Sequence, residues 1–575
     1  MCQNLISNKM NQAYSAKKIS LFTIGLIALF TLFSQCTSNQ EKITSEDVKG
    51  AQNLIGIQFS NQEIDTLVSY LEENKRGYDT MRLFKLDYDI SPALYFDPRP
   101  DGFQRKERQG NSDYKLPNNV LTPELEENIA FMTVAQLADL IKNRKITSTE
   151  LTNIYLKRLE YYKDTLQASV TITKDLALQQ AKKADEEIRN GIYKGLLHGI
   201  PYGIKDLFAV PGYKTTWGAM PYKDQKFDEK AEVVQKLEEA GAVLVAKLTS
   251  GALARGDVWF GGKTKNPWDL KQGASGSSAG SASATAAGLV AFSIGTETLG
   301  SILSPSTRCG VTGLRPTFGS VSRVGCMSLS WSMDKVGPIC RTAQDCAIVY
   351  AVIKGNSGNG EKDHTVVNYP FTFNPRADLS GYKIGYFKKL FDKDTSKVGS
   401  NNNETLETLK KLGAQLVEVE LPDSIPYDVF DVILRAEAGA FFDELVLAHK
   451  DREMVEQDKS SRANSLRQSR FIPAVEYLQA NRYRKVLIEK FNKTIQNLDI
   501  IVSPTYGRNQ SLTTNLTGHP AISIPNGFDK SGHPTSITLL GNLYDEGPIL
   551  EAAYIIQQST AFDEQHPERF LKKIE

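Results

Sequence analysis

The sequence predicts an α/β protein with a mostly helical N-terminal extension, and three observations lead to this fold class. Residues 228–240 have helical periodicity, Gly241 can end that helix, and 242–246 form a short apolar run typical of a buried strand. Short strands are also predicted near the end of the chain, at 500–503 and 521–524. Alternation of helices with short apolar strands is characteristic of α/β domains.

The first 36 residues have the pattern of a secretory signal. Three lysines precede an apolar run at 19–33, which is shorter than the about 20 residues that a membrane-spanning helix needs. Cys36 follows this run, where bacterial lipoproteins carry their lipidated cysteine, although Phe33 and Gln35 are unusual at their positions. We therefore predict a signal peptide at 1–36 and a lipid-anchored protein of the cell envelope. An uncleaved anchor and ordinary secretion are the alternatives.

Residues 37–130 are assigned to the N-terminal extension. Ser60 with Glu63 forms a capping box, which predicts the start of a helix. The Pro- and charge-rich stretch at 97–113 is typical of an exposed connector. This part of the chain carries no recognisable chemistry.

The main domain is assigned to residues 131–575. A second capping box, Thr147 with Glu150, opens a predicted helix with one apolar face. The stretch 371–497 is more charged and is predicted to be mostly helical.

The composition excludes several classes of function. Lys and Arg number 68 against 67 Asp and Glu, so no long-range field attracts nucleic acid, and we expect no nucleic-acid partner. His and Cys do not occur in clusters at metal-ligand spacing, so no metal site is expected. The four cysteines after residue 36 are most simply interpreted as buried free thiols.

The most unusual stretch is 273–301, where 13 of 29 residues are Gly or Ser although the flanks are apolar. Three interpretations compete. The first is a phosphate-binding loop, but the stretch lacks the Gly-Lys-Ser/Thr end that such loops have. The second is tight backbone packing, which the glycines would allow. The third is a nucleophile site, which would use the serine hydroxyls. Within the stretch, Ser278 lies in a GxSxG pattern, which requires a strand directly before it. Residues 271–275 are polar and are predicted to be irregular.

A nucleophilic hydroxyl needs a base, and no histidine lies in this region. Lys205 lies in an apolar segment, 200–210, where burial would lower its pKa and make it a base. The alternative is that Lys205 only pairs with Asp206.

Seven ordered motifs across about 131–560 resemble those of the amidase signature family: HGIPYGIKD at 198–206, NPWD at 266–269, GSSAGS at 276–281, GTETLGS at 295–301, CGVTGLRPT at 309–317, DKVGP at 334–338 and GHPA at 518–521. The resemblance implies a large mixed β-sheet flanked by helices. It also implies hydrolysis of a small-molecule carboxylic amide through a serine acyl-enzyme, without a cofactor.

The resemblance assigns roles to particular residues. Ser301 would be the nucleophile, Lys205 the base, and Ser277, after a cis peptide bond, would pass protons between them. The backbone N–H groups of Thr298, Leu299, Gly300 and Ser301 would form the oxyanion hole.

The chain departs from the family pattern near this site. Leu299 stands where Gly is usual, Glu297 replaces Asp, and Leu303 replaces an Arg that could clamp a carboxylate. These changes, together with the signal sequence, count against a role in tRNA amidotransferase. Ester hydrolysis and ammonia supply to a partner stay open, as does a catalytically silent, lipid-anchored binding protein. The substrate pocket is expected to come largely from the variable region at 371–497.

Overall fold

The computed structural model describes residues 42–84, 87–90, 92–108, 110–356 and 362–574, and Arg508 by its backbone alone. The predicted signal peptide and Cys36 lie outside the described residues. Within them, no helix combines the length and the apolar character needed to cross a bilayer.

The described residues fall into two compact units, which divide between Asp87 and Tyr88. The predicted boundary between extension and main domain, at 130/131, stays a prediction.

The described part of the first unit contains two helices, α1 (Ser45–Ile55) and α2 (Asn61–Met81). The predicted capping box before α2 is confirmed, because Ser60 Oγ accepts the Glu63 N–H and the Glu63 carboxylate accepts the Ser60 N–H at 2.7 Å. An equivalent capping box with Thr44 precedes α1 and was not predicted.

The strands of the second unit are β1 (Ser169–Ile172), β2 (Pro201–Lys205), β3 (Val243–Leu248), β4 (Val258–Trp259), β5 (Gly262–Lys263), β6 (Lys265–Asn266), β7 (Asp269–Gly273), β8 (Phe292–Glu297), β9 (Thr312–Arg315), β10 (Lys335–Cys340), β11 (Lys383–Tyr386), β12 (Gln415–Glu418), β13 (Ile500–Pro504), β14 (Ala521–Phe528) and β15 (Pro534–Gly541). In the described part of the chain, eleven of them form a mixed sheet with the order β1-β3-β2-β8-β10-β9-β14-β15-β13-β11-β12. β2 runs parallel to both β3 and β8, β11 runs parallel to both β12 and β13, and the remaining pairs of this sheet are antiparallel. β4 and β5 form a separate two-stranded sheet, as do β6 and β7.

Helices cover the sheet and bury its apolar side chains. The α-helices of this unit are α3 (Glu126–Ala130), α4 (Val134–Lys142), α5 (Ser148–Leu166), α6 (Lys174–Arg189), α7 (Glu232–Glu239), α8 (Ala279–Ala286), α9 (Leu303–Cys309), α10 (Ala343–Ile353), α11 (Lys388–Lys393), α12 (Lys397–Lys411), α13 (Asp431–Phe441), α14 (Asp443–Leu447), α15 (Arg462–Ser469), α16 (Ala474–Ile495), α17 (Arg508–Leu516) and α18 (Gly547–Thr560).

The predicted strands are confirmed as β3, β13 and β14, and the helix predicted at 228–240 is the shorter α7. Every residue of β3 is buried, as expected for a strand covered on both faces. α7 ends just before Gly241, whose φ of 81° fits a residue without a Cβ. The region 371–497 is mostly helical as predicted, but it also contributes β11 and the edge strand β12, whose pattern is too polar to be recognised.

The prediction that 97–113 is an exposed connector is confirmed for most of its residues, but Pro98 and Pro100 are buried and the stretch is tied to the rest of the second unit. Arg108 Nε lies 2.7 Å from Asp545 Oδ1, and its Nη1 lies 3.2 Å from Glu551 Oε2. The Asp113 N–H donates to the Phe373 carbonyl at 2.7 Å. The Arg108 charge that suggested exposure is used in pairs with residues more than 400 positions away.

Candidate active site

The candidate site lies where adjacent parallel strands end. Lys205 is the last residue of β2, and its neighbour β8 ends at Glu297, directly before the turn that carries Ser301. Parallel strands bring their carboxyl ends to the same edge of a sheet, which is where α/β proteins commonly place their sites. The sheet thus brings together two motifs that are about 90 residues apart in the chain.

Lys205 is fully buried. Its Nζ donates to Ser277 Oγ at 2.7 Å and to Thr296 Oγ1 at 2.8 Å. Burial lowers the pKa of Lys205 to about 7, because the ammonium form loses its hydration. Near neutral pH, a large fraction of this amine is therefore unprotonated and able to accept a proton.

The alternative that Lys205 pairs with Asp206 is wrong. Asp206 Oδ1 lies 2.8 Å from the Nζ of Lys247 in β3, and Oδ2 accepts the Thr216 N–H at 2.9 Å. Two buried lysines thus have different surroundings, since Lys247 faces a carboxylate whereas Lys205 faces hydroxyl groups.

The Gly276–Ser277 peptide bond is cis, as the resemblance implies. Ser277 is buried, and its hydroxyl faces Lys205. The next residue, Ser278, turns its side chain to Thr296, donating to the carbonyl at 3.1 Å and accepting the N–H at 3.2 Å. Because both bonds are buried, Ser278 has the surroundings of a structural hydroxyl.

The prediction that 271–275 is irregular is wrong for its first half, which belongs to β7. This strand pairs with β6 in a separate two-stranded sheet, and four residues, 274–277, separate it from Ser278. The strand-to-nucleophile turn that a GxSxG site requires is therefore missing here.

The turn 298–301 presents backbone donors. Among the described residues, the N–H groups of Leu299, Gly300 and Ser301 have no acceptor within the protein. Gly300 has a φ of 80°, which a residue without a Cβ adopts at low cost. Successive unpaired N–H groups in such a turn form a concave site for an anion.

Ser301 is linked to the segment that carries Ser277 and Ser278 through its backbone carbonyl. Its carbonyl accepts the Ser278 N–H at 3.1 Å, which places the two serine-bearing segments side by side. In the described part of the chain, its hydroxyl makes no hydrogen bond to Ser277.

Glu297 holds the turn 298–301 in place through the residues that follow it. Its Oε2 accepts the N–H groups of Ile302 and Leu303 at 2.8 and 3.0 Å, and its Oε1 accepts from Arg315 Nη1 at 2.8 Å. Burial alone would raise the pKa of the Glu297 carboxyl, but the charge of Arg315 and the bond from Leu303 lower it to about 2. Leu303 is buried, and the cation paired with Glu297 is Arg315 of β9.

Replacing Glu297 with alanine should therefore lower the free energy of unfolding by about 3–5 kcal/mol, because Arg315 would keep a buried, unpaired charge. Denaturant unfolding followed by circular dichroism measures this change. The control is Glu160→Ala, which removes a pair with Lys163 in which both side chains are 52% exposed, and it should cost less than about 1 kcal/mol. Equal losses in the two variants would show that the buried pair does not anchor the turn.

Sequence reasoning missed three residues of the site. Thr296 bonds to Lys205, Asp334 accepts a hydrogen bond from the Thr298 hydroxyl, and Lys335 Nζ donates to the Thr298 carbonyl at 3.4 Å. Asp334 and Lys335 belong to the DKVGP motif at 334–338. Two charged residues at the start of an apolar strand were therefore the sequence feature that could have indicated their place in the site. Within the described ranges, no group of His, Cys, Asp and Glu could hold a metal ion.

The sheet thus brings a buried lysine, buried serine side chains and a donor-lined turn together, and an enzyme that transfers acyl groups through a serine needs these three kinds of group. The chain matches the Amidase family model over residues 150–511, and it belongs to this family. The predicted family, fold class and type of enzyme are thereby confirmed: the protein is an amide-hydrolysing enzyme.

Relatives with several kinds of activity share this fold. The chain is 32% identical to a component of the glutamyl-tRNA(Gln) amidotransferase of Carboxydothermus hydrogenoformans, over 76% of this chain and 99% of the relative. Among solved structures, a peptide amidase from Stenotrophomonas maltophilia is 28% identical with a TM-score of 0.66, covering 75% of this chain and 97% of that one. The corresponding component of the Thermotoga maritima amidotransferase is 26% identical with a TM-score of 0.62, covering 75% and 95%.

Proposed function

We propose that the enzyme hydrolyses a small carboxylic amide through an acyl-enzyme on Ser301, with Ser277 and Lys205 as the proton relay. The observation that carries this proposal is the 2.7 Å contact between Lys205 Nζ and Ser277 Oγ in a fully buried site beside the Ser301 turn. A lysine that is hydrogen-bonded to a hydroxyl group and is not paired with a carboxylate can act as a base.

In the first half of the reaction, Ser301 Oγ attacks the amide carbon and its proton passes to Ser277, while the Ser277 proton passes to Lys205. The negative charge that develops on the substrate oxygen is held by the N–H groups of Leu299, Gly300 and Ser301. When the C–N bond breaks, Ser277 gives a proton to the departing nitrogen and regains one from Lys205. Contacts between catalytic groups commonly tighten only when substrate is bound, and the relay requires this of Ser301 and Ser277.

In the second half, water attacks the acyl-enzyme and loses its proton along the same relay. The carboxylic acid then leaves and Ser301 regains its hydrogen. The donors of the turn again hold the oxyanion, each contributing about 3–4 kcal/mol of transition-state stabilisation.

An amidase that works by itself is favoured over one that supplies ammonia to a partner. The departures at Leu299 and Leu303 and the N-terminal signal pattern support this choice, although relatives named as parts of an amidotransferase share the fold. Ester hydrolysis would use the same relay. A catalytically silent binding protein is disfavoured, because ligand binding alone does not require a buried lysine that is hydrogen-bonded to a buried serine.

A fluorophosphonate probe tests the proposal, since it reacts with an activated serine. Mass spectrometry of the labelled protein should place the adduct on Ser301, and a panel of primary amides, anilides, peptide amides and esters should yield a hydrolysed amide. Absence of both labelling and turnover would favour the binding protein. Hydrolysis of esters alone would show that amides are not the substrates.

We also propose that the mature protein begins at Cys36, carries lipid and is anchored in the cell envelope. The support is the sequence pattern alone: the lysines, the apolar run at 19–33 and the cysteine after it. More than one acyl chain is needed for stable anchoring, since each buried CH₂ contributes about 0.8 kcal/mol.

Anchoring by lipid predicts that the protein stays with membranes after a high-salt wash, because the near-zero net charge offers no electrostatic attachment to break. Cys36→Ser should release the protein or leave it unprocessed, and mass spectrometry of the membrane extract should find a lipidated Cys36. An unmodified N-terminus before residue 36, or a soluble protein without lipid, would exclude the lipoprotein.

A further inference from the structure

A cavity of about 280 Å³ opens in the second unit. Its lining includes Tyr88, Tyr95, Phe96, Trp331 and Cys326, and these five residues define the aromatic pocket. Tyr88, Tyr95 and Phe96 precede the region that matches the family model, 150–511, so this part of the lining comes from the N-terminal part of the chain.

The aromatic pocket shares lining residues with a small void beside the candidate site. Its lining residues Arg323, Cys326 and Ser328 also line a small void of about 10 Å³, together with Thr296 and Thr298. Thr296 bonds to Lys205 Nζ at 2.8 Å, and Thr298 begins the turn that carries Ser301.

The backbone confirms this proximity. Cys326 forms a β-bridge with Phe208, and the Met327 N–H donates to the Leu207 carbonyl at 2.9 Å. Both partners follow Lys205 by two or three residues. The aromatic pocket therefore approaches the site from the side of Lys205.

The two cations that line the pocket are already paired, and Asp89 adds a carboxylate to the lining. Arg323 bonds to both carboxylate oxygens of Asp363 at 3.1 and 3.2 Å, and its remaining N–H groups reach Thr365 and the Trp331 carbonyl. Lys362 at the mouth pairs with Glu229 at 2.9 Å. A carboxylate on the substrate would thus find no unpaired cation among these groups.

The rings offer surfaces for a flat apolar group. Tyr95 is 57% exposed and meets His364 edge to face at 5.6 Å, at the mouth of the pocket. Since an apolar cavity of about 150 Å³ holds benzene, this volume admits an aryl group with part of its chain. Ring contacts of this kind favour aromatic ligands over aliphatic ones of similar size.

This inference rests on the proposed function: we propose that the aromatic pocket binds the amine portion of the substrate. The enzyme should then prefer amides whose departing nitrogen carries an aromatic substituent without a carboxylate. The assignment to the amine portion follows from the relay, because Ser277 and Lys205 deliver a proton to the departing nitrogen. Cys326 of the pocket packs against the segment that follows Lys205.

Protection of Ser301 from the fluorophosphonate probe tests this preference in the full-length protein. The concentration of N-benzylacetamide that halves the labelling rate should be at least about tenfold lower than that of acetamide. It should also be at least about tenfold lower than that of 2-phenylacetamide, which carries its ring on the acyl side. Tyr95→Ala should raise the half-protecting concentration of N-benzylacetamide about fivefold and leave that of acetamide unchanged. Tyr95→Phe should restore protection, because the ring makes the contact.

The matched control is Tyr506→Ala. Tyr506 is 61% exposed and lines a different, larger cleft of about 760 Å³, so its loss should leave protection unchanged. Equal protection by the three amides, stronger protection by phenylacetamide, or an effect of Tyr506→Ala in place of Tyr95→Ala would overturn the inference. Failure of the unprotected enzyme to label at Ser301 would instead overturn the proposed function.

Discussion

Replacing Ser301 with alanine should lower kcat/KM for the best amide of the panel by about 10⁵-fold or more and abolish fluorophosphonate labelling. The reason is that no acyl-enzyme can form, and loss of a serine nucleophile has costs of this size in enzymes with comparable relays. The fold should be unaffected, because the Ser301 hydroxyl makes no hydrogen bond to Ser277 in the described residues. Single-turnover kinetics and intact-protein mass spectrometry measure the two effects.

Ser278→Ala is the matched control, one residue from Ser277. It removes the hydroxyl that bonds to the Thr296 N–H and carbonyl, so the free energy of unfolding should fall by about 1–3 kcal/mol. Labelling and measurable turnover should persist. If Ser278→Ala lost the label while Ser301→Ala kept it, the nucleophile would be Ser278.

Replacing Lys205 with methionine should lower kcat by about 10²–10⁴-fold, the range of a general base. In the unchanged enzyme, activity should rise with pH and level off above the pKa of Lys205, at about 7, because only the neutral amine accepts a proton. Methionine keeps the length of a buried, unbranched side chain, so the fold should survive. A pH–rate profile from about 5 to 9 measures the inflection, which the variant should lack.

Lys247→Met serves as the comparison, since Lys247 is equally buried in the same sheet. It leaves Asp206 as an unpaired buried charge, so stability should fall by about 3–5 kcal/mol. The folded variant should nevertheless keep the inflection near pH 7. A flat profile in the unchanged enzyme, or full activity in Lys205→Met, would exclude the lysine relay.

Local features of this protein follow from the sequence by itself. The capping box at Ser60, the strand β3 and the end of α7 at Gly241 depend on neighbouring residues, so short-range patterns are sufficient to predict them. The motifs at 276–281 and 295–301 likewise identify the family, because their order and spacing are themselves sequence properties.

The tertiary structure decided which charged groups meet. Lys205 and Lys247 both lie in apolar segments of the sequence. The folded sheet brings Lys205 into contact with Ser277 and Lys247 into contact with Asp206. The sheet also supplies Glu297 with Arg315, and the approach of the 88–96 segment to Cys326 defines the aromatic pocket. These contacts join residues far apart in the chain, and their energies depend on burial and distance. Neither quantity exists until the chain has folded, so composition and spacing could propose the chemistry without determining the partners.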